Sequence, residues 1–123
     1  MQVQGSSLEE LFLNAARGFT NLLAPESVGL PDIDLELRLK ADSTEELLVD
    51  WLRELLYRHE TRGFILVSAE IEEVSDTSLR AKLSGRTLGP EEEPEVEIKA
   101  VTYHQLSIQK NDTGYAVTIV FDI

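Results

Sequence analysis

Lys99, Tyr103 and His104 place a cation, a phenol and an imidazole within six residues, in an otherwise strand-like run from Glu97 to His104. The chain then closes on Val120-Phe121-Asp122-Ile123, leaving an aspartate beside the terminal carboxylate at the end of an apolar segment. Packing does not require two acids there. Carboxylates are hard oxygen donors suited to calcium, magnesium or manganese ions, and Asp50, between Val49 and Trp51 at the margin of an apolar stripe, is a third candidate ligand. A carboxylate at such a margin must either reach water or find a partner, so a solvated rim aspartate is the competing reading. The two histidines divide differently. His59 falls near the middle of a helical apolar face and is expected to be structural, held by a hydrogen bond. His104 follows Tyr103, and strand alternation would set the ring and the phenol on opposite faces; structural and functional roles are both open to it. A metal-dependent hydrolase built from Asp50, Asp122 and His104 is one reading of these groups, weakened by the absence of a recognisable nucleophile-base pair.

Other chemistries are excluded or disfavoured by what the chain lacks. There is no phosphate-cradling glycine loop, HExxH, nucleophile elbow or EF-hand loop. With no cysteine, disulfides and thiolate metal sites are ruled out. The formal charge of −12, from 11 basic against 23 acidic residues, argues against direct nucleic-acid binding and suits a basic protein partner, a cation or solubility alone. No apolar run approaches the roughly 18 residues of a membrane span, and Met1 to Gly5 has no export signal, so a cytoplasmic protein is expected. The 123 residues suit a single domain, 1–123.

The elements that must position these groups follow from periodicity. Val3 ends a short strand and Gly5 makes its turn; Ser7-Leu8-Glu9-Glu10 then forms a capping box. Leu8, Leu11, Phe12, Ala15, Ala16, Phe19, Leu22 and Leu23 recur at helical spacing until Pro25 approaches. Ile33, Leu35, Leu37 and Leu39 alternate with polar residues as in a half-buried strand. A second helix opens at Ser43-Thr44-Glu45-Glu46, carries Leu47, Leu48, Trp51, Leu52, Leu55 and Leu56, and stops at Gly63. The likeness of the two helix starts allows an internal strand-helix duplication, or two independently capped helices. Phe64 to Val74 and the Leu79, Ala81, Leu83 run form a hairpin about Ser75-Asp76-Thr77-Ser78. Gly85 to Pro94 reads as an exposed loop with a solvated acidic tip at Glu91-Glu92-Glu93. Beyond it Val96 and Ile98 alternate, then Leu106 and Ile108, then Val117, Ile119 and Phe121, with a turn at Asn111-Asp112-Thr113-Gly114. The expected fold class is α+β, two helices packed on a largely antiparallel β-sheet.

Three blocks together resemble the archease family: Glu97-Ile98-Lys99-Ala100-Val101-Thr102-Tyr103-His104, the terminal Val120-Phe121-Asp122-Ile123, and Leu47-Leu48-Val49-Asp50-Trp51-Leu52. Gly5-Ser6-Ser7-Leu8-Glu9-Glu10-Leu11-Phe12 with Ala15-Ala16 is similar to that family's first helix. The resemblance implies a small cytoplasmic cofactor protein of the RtcB-type RNA-splicing ligase, which joins tRNA halves and repairs RNA using GTP and manganese. On that implication the chain is not itself an enzyme. It promotes guanylylation of the ligase and its multiple turnover; the alternative is a chaperone-like protein-binding module, which would expose a sizeable apolar patch. The family's metal site implies Asp122 and Ile123 as ligands, with Asp50 and Lys99 placed on the same face and Lys99, Tyr103 and His104 turned toward the partner. Where the family reads His-Thr-Ala-Asp, a short hydrophobic strand and then the glycine, this chain begins Met1-Gln2-Val3-Gln4-Gly5. The expectation is an internal methionine at position 1, an absent metal-binding aspartate with weakened affinity for a divalent ion, and a lost first strand. The sheet edge so exposed would invite a homo-oligomer.

Overall fold

Both helices begin where a serine hydroxyl takes up a backbone amide that has no intrahelical partner. Ser7 and Ser43 are extended, at φ −143° and −147°, and their Oγ atoms accept from Glu10 N and Glu46 N at 3.1 Å each. The two glutamates reach back one residue beyond the cap: Ser6 N donates to Glu10 Oε1 at 3.2 Å and Asp42 N to Glu46 Oε2 at 3.3 Å. Each serine cap stabilises its helix by about 1 kcal/mol. The computed structural model describes residues 1–24, 29–89, 92–94 and 96–123, and in it these caps open α1 (Leu8–Leu23) and α2 (Thr44–Arg62). Pro25 lies outside the described residues. Gly63 ends α2 at φ 68°, a left-handed conformation that costs glycine nothing, and donates to His59 O at 2.8 Å.

The strands are β1 (Gln2–Gly5), β2 (Ile33–Lys40), β3 (Phe64–Val74), β4 (Ser78–Thr87), β5 (Ala100–Thr102), β6 (Gln109–Asn111), β7 (Gly114–Thr118) and β8 (Val120–Asp122). Every described pairing is antiparallel, so the class is α+β as the alternation predicts. The strands form three ladders rather than one sheet: β1-β7-β6, β2-β4-β3 and β5-β8. The division has a local cause at Ile119, which exchanges backbone hydrogen bonds with Met1 at 2.7 Å in both directions. Up to that residue the last segment pairs with β1; beyond it the same segment pairs with β5.

The apolar faces predicted for both helices are inward, with Leu8 and Leu22 half-buried and the others buried, and Val49 joins the buried set. Trp51, fully buried, donates Nε1–H to Phe12 O at 2.9 Å and packs against the Phe12 ring at 6.5 Å, which ties α2 to α1. α1 packs on β1 and β3, and α2 on β3 and β5.

Several expectations change. The first strand runs through Gly5 instead of ending at Val3, and it pairs with β7. Gly85 lies inside β4, not in a loop, because the Phe64 ring covers it. Leu106 and Ile108 precede β6 rather than forming part of it. His59 lies in the last turn of α2, half-buried, with Nδ1 3.3 Å from Phe64 O; this is the structural hydrogen bond expected of it, at the helix end instead of mid-face.

Candidate functional site

The chemistry-bearing residues meet the fold where α2 crosses β5. Asp50 lies four residues after Glu46 and three before Arg53, so the three share one side of α2. Arg53 donates from Nε and Nη2 to Val101 O, at 3.3 and 3.1 Å. That carbonyl belongs to β5, which among the described residues pairs with β8 alone, so the guanidinium takes the place of a second neighbouring strand. Asp50 is half-buried, and its carboxyl is raised above the ordinary aspartate value, first by burial. The Arg53 charge pulls it down and the Glu46 charge pushes it up.

Alternation along β5 and β8 sorts the remaining groups. Val101 is buried and Phe121 packs on the Phe19 ring at 5.9 Å, so Val120 and Asp122 turn outward. Asp122 pairs with Ala100, and its carbonyl accepts from Lys99 N at 2.7 Å; Thr102 Oγ1 donates to Val120 O at 3.1 Å. The Lys99 and Asp122 side chains are exposed at this end, with Ile123 beyond them. Tyr103 and His104 do not lie on opposite faces of a strand. The strand stops at Thr102 and they enter a turn in which Leu106 N donates to Tyr103 O at 3.1 Å and Gln105 takes φ 58°. Both are exposed, and Tyr103, Val120 and Ile123, exposed by 47, 55 and 77%, are apolar groups spread along the ladder, Ile123 at the Asp122 end and Tyr103 at the other.

Asp122 and the terminal carboxylate of Ile123 are adjacent donors at the end of β8, while Asp50 comes from α2 with a guanidinium one turn away. Among the described residues no three His, Cys, Asp or Glu side chains gather as a metal cluster. Asp122 and the adjacent terminal carboxylate by themselves fall short of the six or more oxygens a hard divalent ion takes. Among the described residues, His104 has no carboxylate bonded to its ring to orient it as a base.

Arg53 is the site residue that sequence reading missed. Its signal was its place three residues after Asp50 on a helix whose neighbouring positions are buried. The acidic loop also differs from a free tip: Glu92 accepts from Arg86 Nη1 and Nη2 at 3.2 and 2.9 Å and from Gly89 N at 3.1 Å. The Arg86 hydrogen bond, then that of the Gly89 amide, holds the Glu92 carboxyl below its ordinary value. Glu93 is exposed, and Glu91 lies outside the described residues.

The profile of the Archease protein family (MTH1598/TM1083) matches residues 1–123. The chain is 37% identical over 124 residues to Protein archease of Methanosarcina mazei, covering 97% of this chain and 85% of that one. It is 35% identical over 125 residues to Protein archease of Archaeoglobus fulgidus, covering 99 and 90%. The solution structure of Methanobacterium thermoautotrophicum protein 1598 superposes with a TM-score of 0.72 at 26% identity, covering 99% of this chain and 89% of that one. A Thermotoga maritima archease, described as a possible chaperone, shares the fold with a TM-score of 0.69 at 22% identity, covering 100 and 88%.

Proposed function

The chain belongs to the archease family, and from that premise we propose that it is a non-catalytic activator of an RtcB-type RNA ligase, promoting the ligase's guanylylation and multiple turnover in tRNA splicing or RNA repair. The observation that carries this reading is the exposed end of the β5-β8 ladder. Along it, exposed Val120 shares a face with Asp122, Ile123 lies at the Lys99 end and Tyr103 follows β5 at the other end. Exposed apolar side chains among charged groups suit a protein contact better than solvation does, since aromatic and aliphatic anchors supply affinity while charges set orientation.

In this reading the protein works by contact. The net charge of −12 favours approach to a basic mouth on the ligase. Lys99 and His104 then meet the partner while Arg53 keeps β5 and β8 fixed to α2. A calcium, magnesium or manganese ion would be held by Asp122 and the Ile123 carboxylate with Asp50 as a third donor, the remaining positions falling to water or the ligase; it would supply a positive charge beside the ligase's nucleotide. The role needs no direct contact with RNA and no membrane, and it places the protein in the cytoplasm. No helix among the described residues is long and apolar enough to cross a membrane.

The test compares GTP-dependent RNA joining by a cognate ligase with and without the protein. Wild type should convert a single-turnover ligase into one that turns over repeatedly. Asp122→Ala should lose that effect and keep its fold, because the side chain is exposed and makes no core contact. Undiminished multiple turnover with Asp122→Ala removes Asp122 from the role, and no stimulation by wild type removes the role itself.

A further inference from the structure

The pattern of charges on β2 is segregated along the strand. Its exposed positions read Asp34, Glu36, Arg38, Lys40, two acids followed by two bases, while Ile33, Leu35, Leu37 and Leu39 point toward the core. Among the described residues β2 is an edge strand: it pairs with β4 on one side only, and α2 is the only other element it touches. Ala41 N donates to Thr77 O across that ladder. By strand alternation the N–H and C=O groups of Asp34, Glu36, Arg38 and Lys40 therefore face the open side. Among the described residues, Glu36, Arg38 and Lys40 enter no hydrogen bond or ion pair through their side chains. Arg38 is moreover set directly opposite Arg80 on β4, a like-charge cross-strand pair in which Arg80 is met by Glu72 and Glu73 and Arg38 by no acid among the described residues.

We propose that this edge pairs with the same edge of a second copy, antiparallel, with Leu37 opposite Leu37. In that register Asp34 faces Lys40 of the second copy and Glu36 faces its Arg38, and two-fold symmetry repeats both pairs, so every exposed charge on the strand meets its opposite. The residues whose backbone groups face outward are the ones that pair, which satisfies main-chain donors and acceptors on both edges. Leu35 meets Leu39 on the inner face, where both are only partly buried in one copy.

The register is specified by exclusion. A shift by one residue sets charged positions against leucines and presents the wrong backbone groups. A shift by two in one direction sets Glu36 against Glu36, and in the other Arg38 against Arg38. Edge charges commonly keep strands apart, but they do so when they match in sign, and here the reversal of direction makes them complementary. The arriving Glu36 also gives Arg38 an acid of its own, as Glu72 and Glu73 already do for Arg80. A two-fold contact of this kind closes on itself and does not propagate into a fibre.

Sedimentation velocity of the full chain, across a micromolar to near-millimolar series at physiological salt, tests the proposal. Wild type should pass from monomer to dimer and stop there. Glu36→Arg alone and Arg38→Glu alone each place like charges opposite one another twice, and each should weaken self-association by roughly tenfold or more. An equimolar mixture of the two variants restores opposite charges at both places and should form a heterodimer. The double variant Glu36→Arg, Arg38→Glu should recover the homodimer. These exposed positions leave the core untouched, and an unchanged far-ultraviolet circular dichroism spectrum confirms the fold. A wild type that stays monomeric throughout, single variants that associate as wild type does, or a mixture that fails to reconstitute overturns the pairing.

Discussion

Arg53→Met separates what the guanidinium does for the scaffold from what it does for Asp50. Arg53 makes two hydrogen bonds to the single acceptor Val101 O, at 3.3 and 3.1 Å, and their removal leaves a strand-edge carbonyl without that partner. A net protein hydrogen bond stabilises by about 0.5–1.5 kcal/mol. Because Arg53 is exposed and water can replace it, the loss should fall near the middle of that range, about 1 kcal/mol. For a domain of this size that lowers Tm by about 4 °C and moves a urea midpoint by about 0.5 M. The same substitution removes the charge that pulls the Asp50 carboxyl down, while burial and Glu46 continue to push it up. The Asp50 midpoint, followed by carboxyl-carbon NMR, should therefore rise further in Arg53→Met and move little in Arg53→Lys, which keeps the charge. Both variants should lose part of the tether on β5. An Asp50 midpoint that falls or stays constant in Arg53→Met, or a stability equal to wild type, would refute the coupling of α2 to the β5-β8 end.

Asp50→Asn tests the same charge from the other side. A carboxyl raised above its unfolded value of 3.8 takes up protons on folding, so stability falls as pH rises through the window between the unfolded and folded values and stays reduced above it. Asp50→Asn should therefore be more stable than wild type at neutral pH, the difference vanishing below pH 3.8 in denaturant titrations. Glu92 carries the opposite sign: with its carboxyl lowered by Arg86, the clasp holds above the unfolded value of 4.5 and opens as pH falls through the lower folded one. Glu92→Gln should show faster proteolysis between Leu88 and Val96 already at neutral pH. Gly85→Ala should cost about 2 kcal/mol by overpacking, since the added carbon runs into the Phe64 ring and meets Ile65 O at 2.6 Å; calorimetry reads it directly.

What could be read from the sequence was what is local. The serine caps, the apolar faces of both helices and the alternation of β2 depend on neighbours within one or two turns, and all are in place. Gly85 misled because glycine usually marks a loop, and only a long-range contact, the Phe64 ring lying over the strand, requires it there. The end of β5 was invisible for a similar reason: Gln105 takes a positive φ with no glycine or asparagine to announce it. For the candidate site, the residue types were legible and their surroundings were not. Asp50 was recognised as a carboxylate at a buried margin, but Arg53 and its hold on Val101 depend on how α2 meets β5, which no spacing encodes.

Trp51 is the single tryptophan of the chain. Its indole is sealed from solvent at the junction of the two helices and its N–H is engaged by Phe12 O. The protein thus carries its own optical reporter: emission should be blue-shifted in the native state and move to the red when the helices separate. Substitutions at the outward residues of β2 or at the end of β8 can be followed with this intrinsic signal, without an added label, and a change in association or stimulation that leaves the spectrum still is a change of surface alone.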